Sequence, residues 1–300
     1  MNVGMSSEIF VTGATGNVGS EVVRLLHSQG HQVRAAVRNH TDVSIKKPHD
    51  VEFVVFDFEK PETFEPAFRG ISKLFLVRPP AISQVKRYIY PAIAASIAAG
   101  VEHIVFLSLL GAEHNSIVPH AKIEAHIKSL GVPYTFLRAG FFMQNLSTTH
   151  RQDISDHNEI FVPAGKGKTS FIDVRDIAAV AVKVMTESGH DNRAYALTGG
   201  KALDYYEVAE IFTNVLGRRI VYSNPSIFKF AFRMYRRSLQ AEFIAVMIGI
   251  YTTVRLGLAA TVTEDVRHLL QRTPISMEEF VWDYREFWAL GHDYFGLQEN

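Results

Sequence analysis

The chain has 300 residues, 47% of them hydrophobic, so it is long enough for a globular core and is not a disordered chain. Its 31 Lys and Arg residues balance 31 Asp and Glu residues, which argues against nucleic-acid binding by broad attraction to phosphates. The absence of cysteine excludes disulfides, thiolate nucleophiles and Cys-based zinc sites. No secretory signal is recognised, and the longest apolar run, residues 243–254, is too short to span a bilayer. We therefore expect a cytoplasmic protein without nucleic-acid or membrane partners.

Short apolar runs alternate with segments of helical period through the first half of the chain. The predicted strands are "EIFVTG", "HQVRAAVR", "VEFVVFDF", "ISKLFLV", "EHIVFLS" and "PYTFLRAG". A helix follows most of them; the first places Val18, Val22 and Leu26 on one face, and Gly30 ends it. Because parallel strands need crossover helices, this alternation predicts an α/β fold with a doubly wound parallel sheet.

The alternation of predicted strands and helices becomes less regular after about residue 150. "TSFIDVRDIAAVAVKVM" predicts a strand entering a helix, "RAYALTG" another strand, and Asp204 with Glu207 a capping box for a helix that Gly217 ends. We expect residues 1–150 to form a nucleotide-binding domain, 165–200 to return to its sheet, and 201–300 to form a smaller, mostly helical substrate-binding lobe. The aromatic-rich stretch 227–251 fits either a substrate lid or internal packing of that lobe.

The stretch "FVTGATGNVGS" carries the strongest functional signal. Gly13, Gly16 and Gly19 follow the first strand, where the chain must turn tightly, admit a ligand close to its backbone and pack a helix against the strand. The helix N-terminus offers free amides and the positive end of a dipole, so the turn, including Thr15, Asn17 and Val18, is predicted to bind a dinucleotide pyrophosphate. The alternative is an ordinary strand–helix turn.

The end of the second strand bears on the choice of cofactor. An acidic side chain there would bind the 2′-hydroxyl of NAD, but this chain has Arg38, with Lys46 and Lys47 following. A guanidinium suits a 2′-phosphate, so we expect NADP(H) to be preferred over NAD(H). An ordinary surface Arg at a strand end is the alternative.

The next two strand ends are also expected to meet the cofactor. Asp57 and Phe58 lie where an adenine ring is expected, although Asp57 equally suits a helix cap. Pro79 and Pro80 follow the fourth strand; they either steer the backbone over the cofactor or only terminate the strand.

Pieces of sequence along most of the chain carry a family resemblance. These are "VTGATGNVGSEVV", "LVRPPAI", "GVEHIVFLSLLGAE", "HAKIEAHIKSLGVPYTFLRAGFFMQN", "FIDVRDIAAVA", "YALTGGKALDYYEVAEIF" and "GLAATVTEDVRHLL". The pattern resembles the NmrA-like branch of the atypical short-chain dehydrogenases/reductases. That branch holds NADP-dependent quinone and dye reductases and isoflavone-reductase-like enzymes, and also cofactor-binding regulators that do not turn over.

The resemblance implies where the active site lies, with one departure. Ser108 and Lys122 stand at the positions of the family's Ser and Lys, but Val118 stands four residues before Lys122, where short-chain reductases usually have Tyr. Lys122 is expected to hold the cofactor ribose and to act in catalysis, with an exposed helix Lys paired to Glu124 or Glu113 as the alternative. His120 is either a surface residue or a reserve proton donor.

The resemblance also implies a substrate pocket lined by Phe141, Phe142 and Asn145. The predicted function is hydride transfer from NADPH to a small, apolar, conjugated acceptor such as a quinone or enone, which can take its proton from solvent. The alternative is a non-catalytic NADP(H)-binding sensor that acts through a protein partner. We expect no metal, and a monomer or a homodimer.

Overall fold

The computed structural model describes residues 9–39 and 51–289. The strands in these residues are β1 (Ile9–Val11), β2 (Val33–Val37), β3 (Glu52–Val55), β4 (Lys73–Leu76), β5 (His103–Leu109), β6 (Tyr134–Ala139), β7 (Glu159–Ile160), β8 (Arg193–Leu197) and β9 (Val221–Tyr222). The helices are α1 (Asn17–Ser28), α2 (Phe64–Phe68), α3 (Val85–Ala98), α4 (Pro119–Ser129), α5 (Arg151–His157), α6 (Val174–Thr186), α7 (Tyr205–Leu216), α8 (Ile227–Arg236), α9 (Ala241–Arg255), α10 (Asp265–Leu270) and α11 (Met277–Asp283).

The predicted parallel sheet is confirmed. It has seven strands in the order β3-β2-β1-β4-β5-β6-β8, and each neighbouring pair is parallel. Every residue of β1 and β2 is buried, as expected for strands covered on both faces. The strand order reverses between β1 and β4, and the crevice at such a reversal is where open α/β sheets bind ligands.

Helices cover this sheet as the alternation predicts. The helix α1 packs against α6, and α3 packs against both α2 and α4. Phe10, Phe56 and Phe68 meet edge to face, with ring centroids 5.3–5.4 Å apart, inside an apolar cluster that continues through α3 and α4. This packing fixes the ends of the strands where the predicted site residues lie.

The chain divides into two compact units. The first comprises the described residues of Met1–Ala139, Val174–Leu197 and Leu269–Gln271, and the second those of Gly140–Asp173, Thr198–His268 and Arg272–Asn300. The division departs from the expected limits at 150 and 165, because Met143, Leu146 and Phe171 bury their side chains in the core of the second unit. The segment that returns to the sheet of the first unit is therefore Val174–Leu197.

The second unit is mostly helical and has a small parallel sheet of β7 and β9. The predicted capping box opens α7: the Asp204 carboxylate accepts from the Glu207 amide at 2.9 Å, and Glu207 accepts from the Asp204 amide at 2.8 Å. Gly217 ends α7 with φ +64°. The predicted strand before α6 is absent: residues 169–172 form only two isolated bridges, Phe142 with Ile172 and Thr169 with Leu203.

A buried charge cluster holds α8 to α5 within the second unit. The Asp153 side chain is fully buried and accepts hydrogen bonds from Arg233 at 3.0 Å and from both terminal nitrogens of Arg237. A buried carboxylate is tolerated only when it is paired in this way. The charges of Arg233 and Arg237 are therefore neutralised by ion pairs within the second unit. None of the helices in the described residues is long and apolar enough to cross a membrane.

Candidate cofactor-binding and active site

In the glycine turn after β1, the backbone of the first turn of α1 lies in direct contact with the backbone of Gly13. Gly13 has φ +63°, and a Cβ there would lie 3.1 Å from the Val77 Cβ. A Cβ on Gly19 would lie only 2.1 Å from the carbonyl oxygen of Gly13. The Gly16 amide closes the turn by donating to that same carbonyl at 2.9 Å. The first turn of α1 therefore packs against the loop only because position 19 has no side chain.

Thr12 fixes the turn at the reversal of strand order. Its buried hydroxyl donates to the Phe75 carbonyl at 3.2 Å and accepts from the Val77 amide at 2.7 Å. The Thr12 amide also donates to the Phe75 carbonyl at 3.0 Å. The ends of β1 and β4 are thus tied together beneath the glycine turn.

The N-terminus of α1 fits an anion. Gly16 is the N-cap residue and has no side chain to satisfy the first amides of the helix. Thr15, Gly16 and Asn17 are exposed, whereas the Val18 side chain is buried, so Val18 can contribute only its backbone amide. Free amides, a helix dipole and a close-approaching backbone form a cradle that suits a diphosphate.

Arg38 directly follows β2 and is exposed. Within the described part of the chain it has no ion pair or hydrogen bond, so its guanidinium is available to a ligand. Lys46 and Lys47, predicted to reinforce it, lie outside the described residues.

Asp57 and Phe58 follow β3 with different surroundings. The Asp57 carboxylate accepts from the Glu59 amide at 3.0 Å, so it closes a local turn and does not cap a helix. Phe58 is buried, and its ring lies edge-on to Phe56 at 4.9 Å. Phe58 can therefore meet a nucleotide only after its ring moves or through its backbone.

Arg78 organises the loop after β4, a role that the sequence did not reveal. One terminal nitrogen of its guanidinium donates to the carbonyls of Pro79, Pro80 and Ile82, at 2.8, 3.0 and 2.8 Å. Its Nε is buried without a partner in the described structure. Burial lowers the pKa of Arg78, and in the described part of the chain its guanidinium contacts carbonyl dipoles and no carboxylate. Pro79 is therefore held in place through its carbonyl.

Ser108, at the end of β5, belongs to a buried charge network. Its hydroxyl donates to Glu124 at 2.6 Å, and Glu124 is buried on the inner face of α4. Arg138, near the end of β6, donates to both oxygens of Glu124, at 3.0 and 2.7 Å, and lies 3.2 Å from Glu113. These hydrogen bonds raise the pKa of the Arg138 guanidinium. The Ser108 proton is thus committed to Glu124, and only its lone pairs remain for a ligand.

His120 lies in the first turn of α4 and stacks on Phe106 at a centroid distance of 6.0 Å. Burial, reinforced by the nearby positive charge of Arg78, lowers the pKa of His120 to about 4. The imidazole is therefore neutral at neutral pH, and one ring nitrogen carries a hydrogen that it can donate.

Lys122 lies on the exposed side of α4. Its expected alternative partners are engaged elsewhere, because Arg138 binds both Glu124 and Glu113. Among the described residues, the Lys122 side chain forms no ion pair or hydrogen bond. The Tyr90 hydroxyl donates to the backbone carbonyl of Lys122 at 2.9 Å. Its ammonium is left to solvent or to a ligand.

The three predicted pocket residues begin the second unit. Phe141 is half-buried and packs against Phe171 and Tyr251, with centroids 5.8 and 6.0 Å apart. Phe142 forms a bridge to Ile172, and its carbonyl accepts from the Asn145 amide at 3.2 Å. These residues therefore also hold the second unit together. No group of three or more His, Asp and Glu side chains in the described residues is arranged to hold a metal.

Three site residues were missed at the level of sequence: Arg78, Glu124 and Arg138. A signal existed for Glu124, which stands between Ile123 and Ile127 on the buried side of α4. Arg138 is likewise the charged residue of a strand that is otherwise mostly buried. A charge at an inward position requires a partner, so these two could have been paired.

The cradle, the reversal of strand order and the parallel sheet define a Rossmann-type nucleotide-binding protein. A model of the NmrA-like family matches residues 5–281, and the chain belongs to this family. An NAD(P)H azoreductase of Xenophilus azovorans is 38% identical over 218 residues, 71% of this chain and 76% of that protein.

Two solved reductases share the whole fold. Triphenylmethane reductase of Citrobacter sp., complexed with NADP(H), matches with a TM-score of 0.81 and 27% identity, over 92% of this chain and 99% of that chain. An NADPH-dependent quinone oxidoreductase of Escherichia coli, complexed with NADPH, matches with a TM-score of 0.82 and 25% identity, over 92% and 99%. The likeness therefore extends through both units.

The contact of Gly19 with Gly13 gives a first prediction. Gly19→Ala should weaken NADPH binding at least tenfold and lower the free energy of unfolding by about 1–3 kcal/mol, because the new Cβ forces the turn open. Titration calorimetry and urea unfolding measure the two effects. Gly249→Ala is the control, since a Cβ in that helix meets nothing within 4 Å. Unchanged NADPH affinity in Gly19→Ala would contradict the cradle.

The Glu124 network gives a second prediction. Glu124→Gln should lower the free energy of unfolding by about 3–5 kcal/mol, because it leaves the Arg138 charge without its buried partner. Glu113→Gln is the matched control: it removes the more exposed partner of Arg138 and should cost less than about 1 kcal/mol. Urea unfolding compares them, and equal losses would show that Glu124 is not the dominant partner.

Proposed function

We propose that this protein is an NADPH-dependent oxidoreductase that transfers hydride to a small, apolar, conjugated acceptor such as a quinone or an enone. The general class, an NAD(P)H-dependent oxidoreductase, rests on an azoreductase relative 38% identical to this chain and on two reductases of the same fold. The single structural observation that carries the proposal is the glycine turn, in which the N-terminus of α1 packs against the Gly13 carbonyl at Gly19.

The residues at the carboxyl ends of the strands would hold the cofactor. The amides of Asn17 and Val18 would bind the diphosphate, while the Gly16 amide stays bonded to the Gly13 carbonyl. Arg38, which has no competing partner among the described residues, would bind the 2′-phosphate, and this supports a preference for NADP(H). Asp57, Phe58 and Pro79 remain predicted contacts for the rest of the nucleotide. The bound cofactor supplies the hydride.

The proposed catalytic residues are Lys122, Ser108 and His120, and their environments restrict what each does. Lys122 would bind the ribose hydroxyls through its exposed ammonium. Ser108 would accept a hydrogen bond, since its own proton goes to Glu124. His120 would polarise the acceptor by donating a hydrogen bond from a neutral ring. None of these roles needs the Tyr that Val118 replaces.

The class of acceptor follows from this weak supply of protons. A simple ketone reduced by hydride gives an alkoxide that must be protonated within the site. A quinone or enone spreads the negative charge over a conjugated system and can take its proton from solvent later. The half-buried Phe141 offers an aromatic surface of the kind that such planar molecules contact.

The test is NADPH oxidation by the purified protein with a panel of quinones, enones and simple ketones. We expect turnover with the conjugated acceptors only, and a loss of about tenfold or more in Lys122→Ala. Lys86→Ala is the control, because Lys86 is an exposed helix lysine outside the site. No turnover with any acceptor, despite tight NADPH binding, would favour a sensor that binds NADP(H) and a protein partner.

The cofactor preference has a separate test. Arg38→Asp should weaken NADPH binding by about a hundredfold and leave NADH binding within about threefold, because the carboxylate repels only the additional phosphate. Titration calorimetry with both dinucleotides measures this difference. An equal loss for both would show that Arg38 does not contact the 2′-phosphate.

A further inference from the structure

The helix α8 in the second unit has two apolar sides, and only one of them is buried. Phe230 and Met234 lie in the core of that unit. Phe228, Phe232 and Tyr235 are 87%, 63% and 71% exposed. They lie four and three residues apart on the helix, so they form one continuous stripe, which we call the aromatic stripe. Internal packing, one of the roles expected for this stretch, explains the first side of α8 and leaves the stripe unexplained.

The neighbouring helix also has an exposed apolar side. The helix α9 packs against α8 and buries Ile244, Met247 and Tyr251 in the same core. Its outer side exposes Phe243, Val246 and Ile250, and Leu256 and Leu258 follow it at 68% and 71% exposure. Exposed apolar residues on this scale mark an interaction surface.

The charges around the aromatic stripe are positive, although the chain as a whole is neutral. The helix α8 contains no acidic residue. Lys229 and Arg236 are exposed and, within the described residues, have no ion-pair partner, in contrast to Arg233. Arg255 lines an open cavity together with Phe228. The exposed charges of α8 and α9 are therefore three cations, Lys229, Arg236 and Arg255, and one carboxylate, Glu242.

We propose that the aromatic stripe docks the protein on the surface of a bilayer that carries anionic headgroups. Aromatic rings at one side of a helix enter the boundary between headgroups and acyl chains, with the helix parallel to the membrane. Lys229, Arg236 and Arg255 then lie at the level of the phosphates, where long basic side chains are favourable. This surface does not depend on the oxidoreductase reaction proposed above.

The same charges disfavour a second copy of the chain as the occupant. A two-fold dimer brings identical patches together, so the cations around the stripe would face their own copies. An anionic membrane satisfies both the apolar and the charged features of the surface. This proposal departs from the expectation of no membrane partner, which rested on the lack of a spanning segment.

The experiment is co-sedimentation of the full chain with vesicles of phosphatidylcholine, with and without phosphatidylglycerol. We expect binding to the anionic vesicles that weakens as salt increases. The Phe228→Ser, Phe232→Ser double variant should reduce the partition coefficient by about a hundredfold, because two rings no longer enter the bilayer. Lys229→Glu with Arg236→Glu should reduce it by about thirtyfold or more.

Trp282→Ser is the matched control, because it removes an exposed aromatic residue outside the aromatic stripe and should leave vesicle binding unchanged. Circular dichroism and NADPH affinity verify that each variant is folded. All the substituted side chains are exposed, so correct folding is expected.

Three outcomes would overturn the proposal. The first is no binding of the unmodified protein to anionic vesicles at low salt. The second is a dimer in solution that the double Phe variant dissociates, which would assign the aromatic stripe to a second copy. The third is loss of turnover with a water-soluble acceptor in the double Phe variant at unchanged NADPH affinity, which would assign it to a substrate lid.

Discussion

The approach of α1 to the glycine turn is the contact on which the rest of the first unit depends. No side chain fits between Gly19 and the Gly13 carbonyl, since even a Cβ would lie 2.1 Å from that oxygen. The close contact brings the uncapped N-terminus of α1 to the reversal of strand order between β1 and β4. A longer separation would place the helix dipole and its amides too far from the crevice to bind a phosphate. Thr12 reinforces the arrangement from below by joining the two strand ends.

Two arginines near the ends of β4 and β6 have opposite electrostatic effects. Arg138 is neutralised by Glu124 and Glu113, so it serves mainly to orient the side chains around Ser108. Arg78 donates to carbonyls and has no carboxylate partner within the described residues, so its positive charge is not cancelled. That charge helps to keep His120 neutral and would attract an anionic cofactor toward the loop after β4. The loop therefore favours both a phosphate-bearing ligand and a hydrogen-bonding, uncharged imidazole.

Most of the fold could be predicted from local patterns, because the alternation of apolar strands and periodic helices specifies a parallel sheet. The capping box of Asp204 and Glu207 and the left-handed Gly217 were likewise predictable from neighbouring residues. The boundary between the units was not predictable, because Phe171 is buried against Tyr205 of α7, which is distant in sequence. The site residues were hard to predict for the same reason, since Glu124 contacts Arg138 only after α4 and β6 pack together. The hydrogen bonds of Arg78 likewise form only in the folded loop after β4.

The replacement of Tyr by Val118 shapes the chemistry that remains available. A short-chain reductase with Tyr delivers a proton as it delivers hydride, which allows isolated carbonyls to react. Here the hydroxyl of Ser108 is bound to Glu124, the ring of His120 carries no excess proton at neutral pH, and Lys122 is exposed to water. In the proposed reaction, hydrogen-bond donation by the neutral His120 ring would stabilise a partly charged acceptor but would not neutralise a localised alkoxide. The proposed substrates are therefore those whose own conjugation would disperse the incoming charge.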